Sequence, residues 1–246
     1  QCKNEIHNIL QRANIKLTSY LSDIYGITGI TLLEMFIDGE VITEQTILPK
    51  IHGKVKATAA ELVEAMDGKL SFEDRFLLGQ SLEHYRHSVN QVEEITVVIK
   101  QYVLERFERE YNLLIELPGV SAIVACVILS EIGPNVEAFK SQGNLASWAG
   151  VCPGSYESAG IKKSSHTTQG NKYLKSILFQ AGGTAGRSKD EAFHNLYARI
   201  SGRSSKMKAI IACAHKMIRV IYKILSTGEH YDAKKALGLR QQARAN

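Results

Sequence analysis

A mainly α fold is predicted by three features. Apolar residues recur at spacings of three and four, strand signals are scarce, and the 44 residues from Phe72 to Ile115 contain no Pro. Ile6, Ile9, Leu10, Ala13, Leu17 and Leu21 predict an amphipathic helix over 4–22, ending near Gly26. A short helix fits Thr31–Ile37, closed by Gly39, and another fits Thr58–Met66, ending at Gly68. Ser71 stands three residues before Asp74, an N-cap with acidic charge in the first turn of the long helix that follows. In that helix Leu82, Tyr85, Val89, Val92, Thr96, Ile99 and Val103 form a heptad seam. The seam fits packing within its own domain or a coiled coil between copies, and both readings stay open.

The composition changes at Leu117-Pro118-Gly119, beyond which acids become rare and Gly frequent. This divides the chain into a helical linker over 1–112, with its coiled-coil segment at about 71–112, a C-terminal domain over 113–228 and a polar tail over 229–246. Helices are predicted at 171–185, 190–201 and 204–226. The last carries Ile210, Ile211, Ala214, Met217, Ile218, Ile221 and Ile224 on one face, with Lys206, Lys208, Lys216, Arg219 and Lys223 mostly off it.

With 246 residues, 44% of them hydrophobic and 22% charged, the chain can fill a core and is not of the disordered class. No apolar run reaches the roughly 20 residues of a membrane span. The opening Gln1-Cys2-Lys3-Asn4-Glu5 has neither an initiator Met nor an apolar signal core, and reads as the start of a piece of a longer protein. Cys2, Cys126, Cys152 and Cys213 form no C-x-x-C pair, and among the His only His84 and His87 share a helical spacing. A reduced, intracellular protein without a metal site is expected. The net charge of +5 hides an asymmetry: 1–123 carry −6 and 124–246 carry +11, all of that excess lying within 158–223. Clustered Lys and Arg are the main sequence-independent source of nucleic-acid affinity, whereas a merely solvated basic surface is the plain alternative.

Three stretches carry chemistry. Leu113–Ala125 runs an apolar helix end through a Pro-Gly turn into a second helix. It resembles the helix-hairpin-helix motif, with Ser121 where the motif has a second Gly. Gly119 and Ser121 would then offer backbone N–H groups to a DNA phosphate; an ordinary helix corner is the other reading. The basic residues Lys162, Lys163, Lys172, Lys175, Arg203 and Lys206 are the further candidates for phosphate contact. Within the Gly- and Ser-rich stretch 150–172, Ser158 lies between Glu157 and the Lys162–Lys163 pair. A serine there could attack phosphorus with cations steadying the developing charge, but by spacing alone the signal is weak, since most loop serines are turn-formers or caps.

Several separated blocks fall in one order: Leu117-Pro-Gly-Val120, Ile132-Gly133, Phe139, Leu145-Ala-Ser-Trp148-Ala-Gly150-Val-Cys-Pro153-Gly154, Tyr156-Glu-Ser158-Ala-Gly160 and Gly170-Asn-Lys-Tyr-Leu174. Upstream stand Ile6-His-Asn-Ile-Leu-Gln-Arg-Ala-Asn-Ile-Lys-Leu17 and Ser22-Asp-Ile-Tyr-Gly26. Together they resemble the insertion-sequence one-ten family, the serine-dependent transposases guided by a bridge RNA. The resemblance implies a RuvC-like N-terminal domain with four acidic metal ligands, a helical coiled-coil linker and a C-terminal transposase domain with a nucleophilic Ser. That Ser maps to Ser158, although Ala159 departs from the family pattern. Nothing in this sequence matches the acidic strands, so the resemblance implies Mg for a domain missing here and no cofactor in this piece, which by itself would be inactive. It further implies DNA and a guide RNA as partners, a homo-oligomer through the coiled coil, no membrane, and a prokaryotic, cytoplasmic, nucleoid-associated place. The alternative is a non-catalytic nucleic-acid-binding and oligomerisation module.

Overall fold

The computed structural model describes residues 1–152, 156–158, 161–164 and 167–238, with the backbone alone for 156–158 and 161–164. It is mainly α and divides into two compact units, Gln1–Glu94 and Ile95–Asn246. No helix among the described residues is long and apolar enough to cross a membrane.

The first unit begins with α1 (Cys2–Arg12), α2 (Leu17–Tyr20) and α3 (Ile27–Asp38). The single helix expected over 4–22 is therefore broken. Asn14 takes a left-handed conformation (φ 59°), Ile15 N–H returns to the Leu10 carbonyl, and Lys16 N–H bonds the Ala65 carbonyl. Asn adopts this region more readily than other non-Gly residues, so apolar spacing alone did not reveal the stop. Gly39 ends α3 in the left-handed region, as expected. A short α4 (Glu44–Ile47), a 3-10 turn and α5 (Ala59–Ala65) follow, α4 and α5 each opening on a capping box, Thr43 with Thr46 and Thr58 with Glu61. Ile6, Leu17, Leu32, Leu33, Ile47, Leu62, Leu78 and Leu82 fill the core. Tyr25 packs on Tyr85 with ring centres 4.8 Å apart, and burial above all pushes its phenol up to about 12.

The helix α6 (Phe72–Ile115) has the bounds its sequence predicts, and the Asp74 N–H donates to the Ser71 hydroxyl at 3.0 Å. Along its seam Leu82 and Val103 are buried, whereas Val92 and Ile99 are 64% and 44% exposed. Helical geometry lapses at Phe107; beyond it Tyr111, Leu113, Leu114 and Leu117 enter the core of the second unit.

Leu117–Val120 close a turn through the Val120 N–H and the Leu117 carbonyl at 3.0 Å, with Pro118 and Gly119 (φ 83°) in its middle, the pattern of a type II turn. Ser121 then caps α7 (Ala122–Ile132), its hydroxyl accepting from Val124 N–H. After α8 (Gln142–Trp148) comes a two-stranded antiparallel hairpin, β1 (Tyr156–Ser158) and β2 (Ile161–Ser164), in a stretch where the sequence signalled only a loop. The helices α9 (Lys172–Arg187), α10 (Glu191–Ser201) and α11 (Lys206–Thr227) follow, close to their expected bounds. The central α11 packs against α9, α10 and α8 and buries Cys213, Ala214, Met217, Ile218 and Ile221. Residues 233–238, read from composition as part of a polar tail, form α12 (Ala233–Gly238), whose Ala236 is buried.

Gly119 sits against the backbone of α9, where a Cβ would strike the Ala181 carbonyl oxygen and the Ala185 nitrogen. Gly119→Ala therefore adds left-handed strain to overpacking and should cost about 2–4 kcal/mol. A urea denaturation midpoint unchanged by this substitution would contradict the packing.

Candidate functional site

The candidate site is built around the hairpin's neck. Gly150 and Gly170 cross backbone to backbone: a Cβ on Gly170 would collide with the Gly150 nitrogen and the Trp148 carbonyl oxygen, and Gly150 itself has a φ of 70°. The crossing is stitched by Thr168 N–H to the Cys152 carbonyl (3.1 Å) and Asn171 N–H to the Trp148 carbonyl (3.0 Å). Asn171 caps α9, its side-chain oxygen accepting from Tyr173 and Leu174 N–H, while its amide donates to Glu131 on α7. Lys175 donates to the Thr168 carbonyl at 3.0 Å. The hairpin thus leaves and returns through one point fixed to α7, α8 and α9. Its register pairs Tyr156 with Ser164, Glu157 with Lys162 and Ser158 with Ile161, with an irregularity between Tyr156 and Glu157. Ser158 accordingly closes β1 at the hairpin's tip, and Lys162 stands one residue inside β2.

Beside the neck, Val151 and Thr167 reach the edge of a cavity of about 690 Å³ formed chiefly by α10, α11 and α12. Arg199, Lys208, His215, Lys216 and Arg219 line it, and among the described residues no Asp or Glu does. Burial, and then Arg219, holds the His215 imidazole below its ordinary value. Burial also lowers Lys216, against the opposing pull of Asp190 and Cys213. The Lys216 ammonium donates to the Ala192 carbonyl at 2.9 Å, and Arg219 Nε donates to the Gln142 side chain at 3.1 Å. Asp190 caps α10 and accepts from the Tyr231 hydroxyl at 3.0 Å, tying the approach to α12 to the start of α10. Burial first, then this bond, raises the Tyr231 phenol.

The sequence-derived candidates are distributed as follows. The backbones of Ser158, Lys162 and Lys163 lie in the hairpin, and their side chains lie outside the described residues. Lys172 opens α9 with its ammonium 4.8 Å from the Tyr173 ring centre, and Lys175 belongs to the neck. Arg203 and Lys206 are exposed around the start of α11. Gly119 faces α9, while Ser121 is exposed with its hydroxyl engaged in the cap of α7. The cavity's His215 and Arg199 escaped the sequence reading. The signal was present: Lys208, Ala212, His215 and Arg219 recur at four, three and four residues, a stripe beside the apolar face of α11.

Residues 111–198, from the end of α6 to α10, match the model of a family described as "Transposase IS116/IS110/IS902 family". The chain resembles the IS110-type transposases. It is 31% identical over 157 residues to the Sinorhizobium fredii protein named "Putative transposase y4pF/y4sB", a match covering 61% of this chain and 39% of that protein. It is also 27% identical over 158 residues to the "Pilin gene-inverting protein" of Moraxella lacunata and to that of Moraxella bovis, covering 62% and 63% of this chain and 48% of each relative. The chain thus matches less than half the length of these relatives. The stretch shared with IS110-type transposases contains the neck, the hairpin and most of α10.

The His215 environment has a consequence for stability. Its imidazole titrates lower in the folded chain than in the unfolded one, so protonation favours unfolding. The contribution is intact above the ordinary 6.5 and is lost as pH falls below it towards the lowered folded value. Urea midpoints should therefore drop more between pH 7.5 and 5.5 for the native protein than for His215→Gln. Parallel pH profiles would overturn the assignment.

Proposed function

We propose that this chain is the linker and serine-bearing part of a DNA transposase or site-specific recombinase. The oxygen of Ser158 attacks a DNA phosphodiester: a serine–phosphorus bond forms, the phosphorus–oxygen bond to one deoxyribose breaks, and the serine's proton ends on the departing hydroxyl. The link is undone when a strand hydroxyl attacks the same phosphorus and returns a proton to the serine oxygen. The observation that carries this reading is Ser158 paired with Ile161 at the tip of a hairpin rooted beside a cavity whose described lining has basic side chains and no carboxylate. Lys162 and Lys163 follow on the same hairpin, where cations would steady charge on the non-bridging oxygens.

DNA is the substrate under this reading, with a guide RNA and a further copy of the chain as partners. The exposed Val92 and Ile99 of α6 would close the seam between copies, and Gly119, Ser121, Lys172, Lys175, Arg203 and Lys206 would support the phosphate backbone. A cytoplasmic, nucleoid-associated protein fits these partners. Among the described residues no three or more His, Cys, Asp or Glu side chains converge as a metal site would need.

In the protein as its gene encodes it, Ser158→Ala should abolish donor–target recombination while leaving DNA binding within about twofold. Undiminished recombination by that variant would sink the nucleophile. The same recombination assay should show a loss of about tenfold or more for Lys162→Gln with Lys163→Gln.

A further inference from the structure

The cavity beside the hairpin's neck combines basic side chains with an apolar wall. We propose that it holds one unstacked nucleotide of a nucleic-acid strand, its base against the apolar wall and its phosphate on the cationic rim. The proposal rests on the reading of this chain as a nucleic-acid enzyme and adds a site to it.

Volume, charge and wall chemistry agree on this occupant. About 690 Å³ lies within the usual range of small-ligand sites and accommodates a single nucleoside with its phosphate. Val151, Leu196, Ile211, Ala212 and Leu237 supply a wall of largely apolar atoms, the surroundings a base finds once it leaves its stack. Among the described residues the rim carries five basic side chains and no carboxylate, which favours an anion. Two of the five are held in place by hydrogen bonds, Lys216 on the Ala192 carbonyl and Arg219 on Gln142. Arg199 and Lys208 have no side-chain hydrogen bond or ion pair among the described residues, so both remain available to phosphate oxygens. Such a division suits phosphate recognition, in which fixed cations set the field and exposed ones close on the ligand. Asn195 adds an amide at the wall, able to pair with a base edge and wasted on a simple fatty anion. The wall from α12 is anchored through the Tyr231–Asp190 bond, so the cavity's third side is fixed to its first.

The test uses the intact protein and short single-stranded DNA and RNA oligonucleotides, followed by fluorescence anisotropy, with 2-aminopurine at one position to report unstacking. The native protein should bind with a rise in 2-aminopurine emission, and the strand type bound more tightly names the source of the nucleotide. Arg199→Gln with Lys208→Gln, both at exposed positions, should weaken binding by about tenfold or more and flatten the salt dependence by about two phosphates. Ala212→Leu, which fills the cavity without touching a charge, should weaken binding by about tenfold and suppress the emission rise, with the circular dichroism spectrum unchanged. Native-level binding and emission in both variants would overturn the site while leaving the nucleic-acid reading intact. Failure of the native protein to bind any oligonucleotide or duplex at low salt would instead overturn that reading. Occupation by oleate, with no competition from deoxyadenosine monophosphate, would identify the cavity as a lipid site and refute the proposal.

Discussion

The crossing of Gly150 over Gly170 is the constraint on which the candidate site depends. Two backbone segments approach so closely that Gly170 has no room for a Cβ and Gly150, at φ 70°, would crowd one, and hydrogen bonds on either side hold the approach. A chain that leaves a helical domain and returns within about twenty residues must meet itself somewhere, and here the meeting point is bonded to α8 and to the cap of α9. Asn171 joins the two roles, capping α9 through its oxygen and reaching Glu131 on α7 through its amide. The consequence is a two-stranded hairpin whose ends meet at a bonded root, with Ser158 ending its first strand.

Internal hydrogen bonds explain why a basic cavity can persist in a folded domain. Burying cations is costly unless their hydrogen bonds are met, and the more enclosed ones meet this condition within the domain. Lys216 reaches a carbonyl on α10, and Arg219 reaches Gln142 on α8. His215 avoids the cost by shedding its proton more readily than an exposed imidazole. The charge asymmetry of the sequence thus acquires a location: part of the excess within 158–223 gathers around one concave surface. The cysteines on the apolar faces of α7 and α11 are packing groups, and burial pushes the Cys213 thiol up to about 11, away from reactivity.

Much of the helical framework was legible in the sequence because spacing, caps and glycine stops agreed. The long α6 is the clearest case, opened by Ser71 and Asp74 and closed ahead of Leu117-Pro118-Gly119. Where one signal spoke alone, it misled. Apolar spacing continued through Asn14, yet the bond from Lys16 to Ala65 lies some fifty positions away, beyond the reach of local periodicity. The hairpin was hidden because seven strand residues rich in Lys and Ser carry little apolar alternation, and the glycines at its neck read as loop composition. Ser158 was singled out through family resemblance, because its spacing alone gave only a weak signal. The cavity was hidden for another reason: its residues come from α10, α11 and α12, and only tertiary packing brings them to one surface.

In the proposed chemistry Ser158, at the tip of this hairpin, forms a covalent bond to DNA. This is tested most directly by trapping the protein, as its gene encodes it, on a donor whose departing strand is too short to stay bound. The covalent product is then digested and mapped by mass spectrometry. A phosphodeoxynucleotide attached to Ser158 is the expected product. An adduct on another residue, or active recombination with no covalent adduct at all, would contradict it.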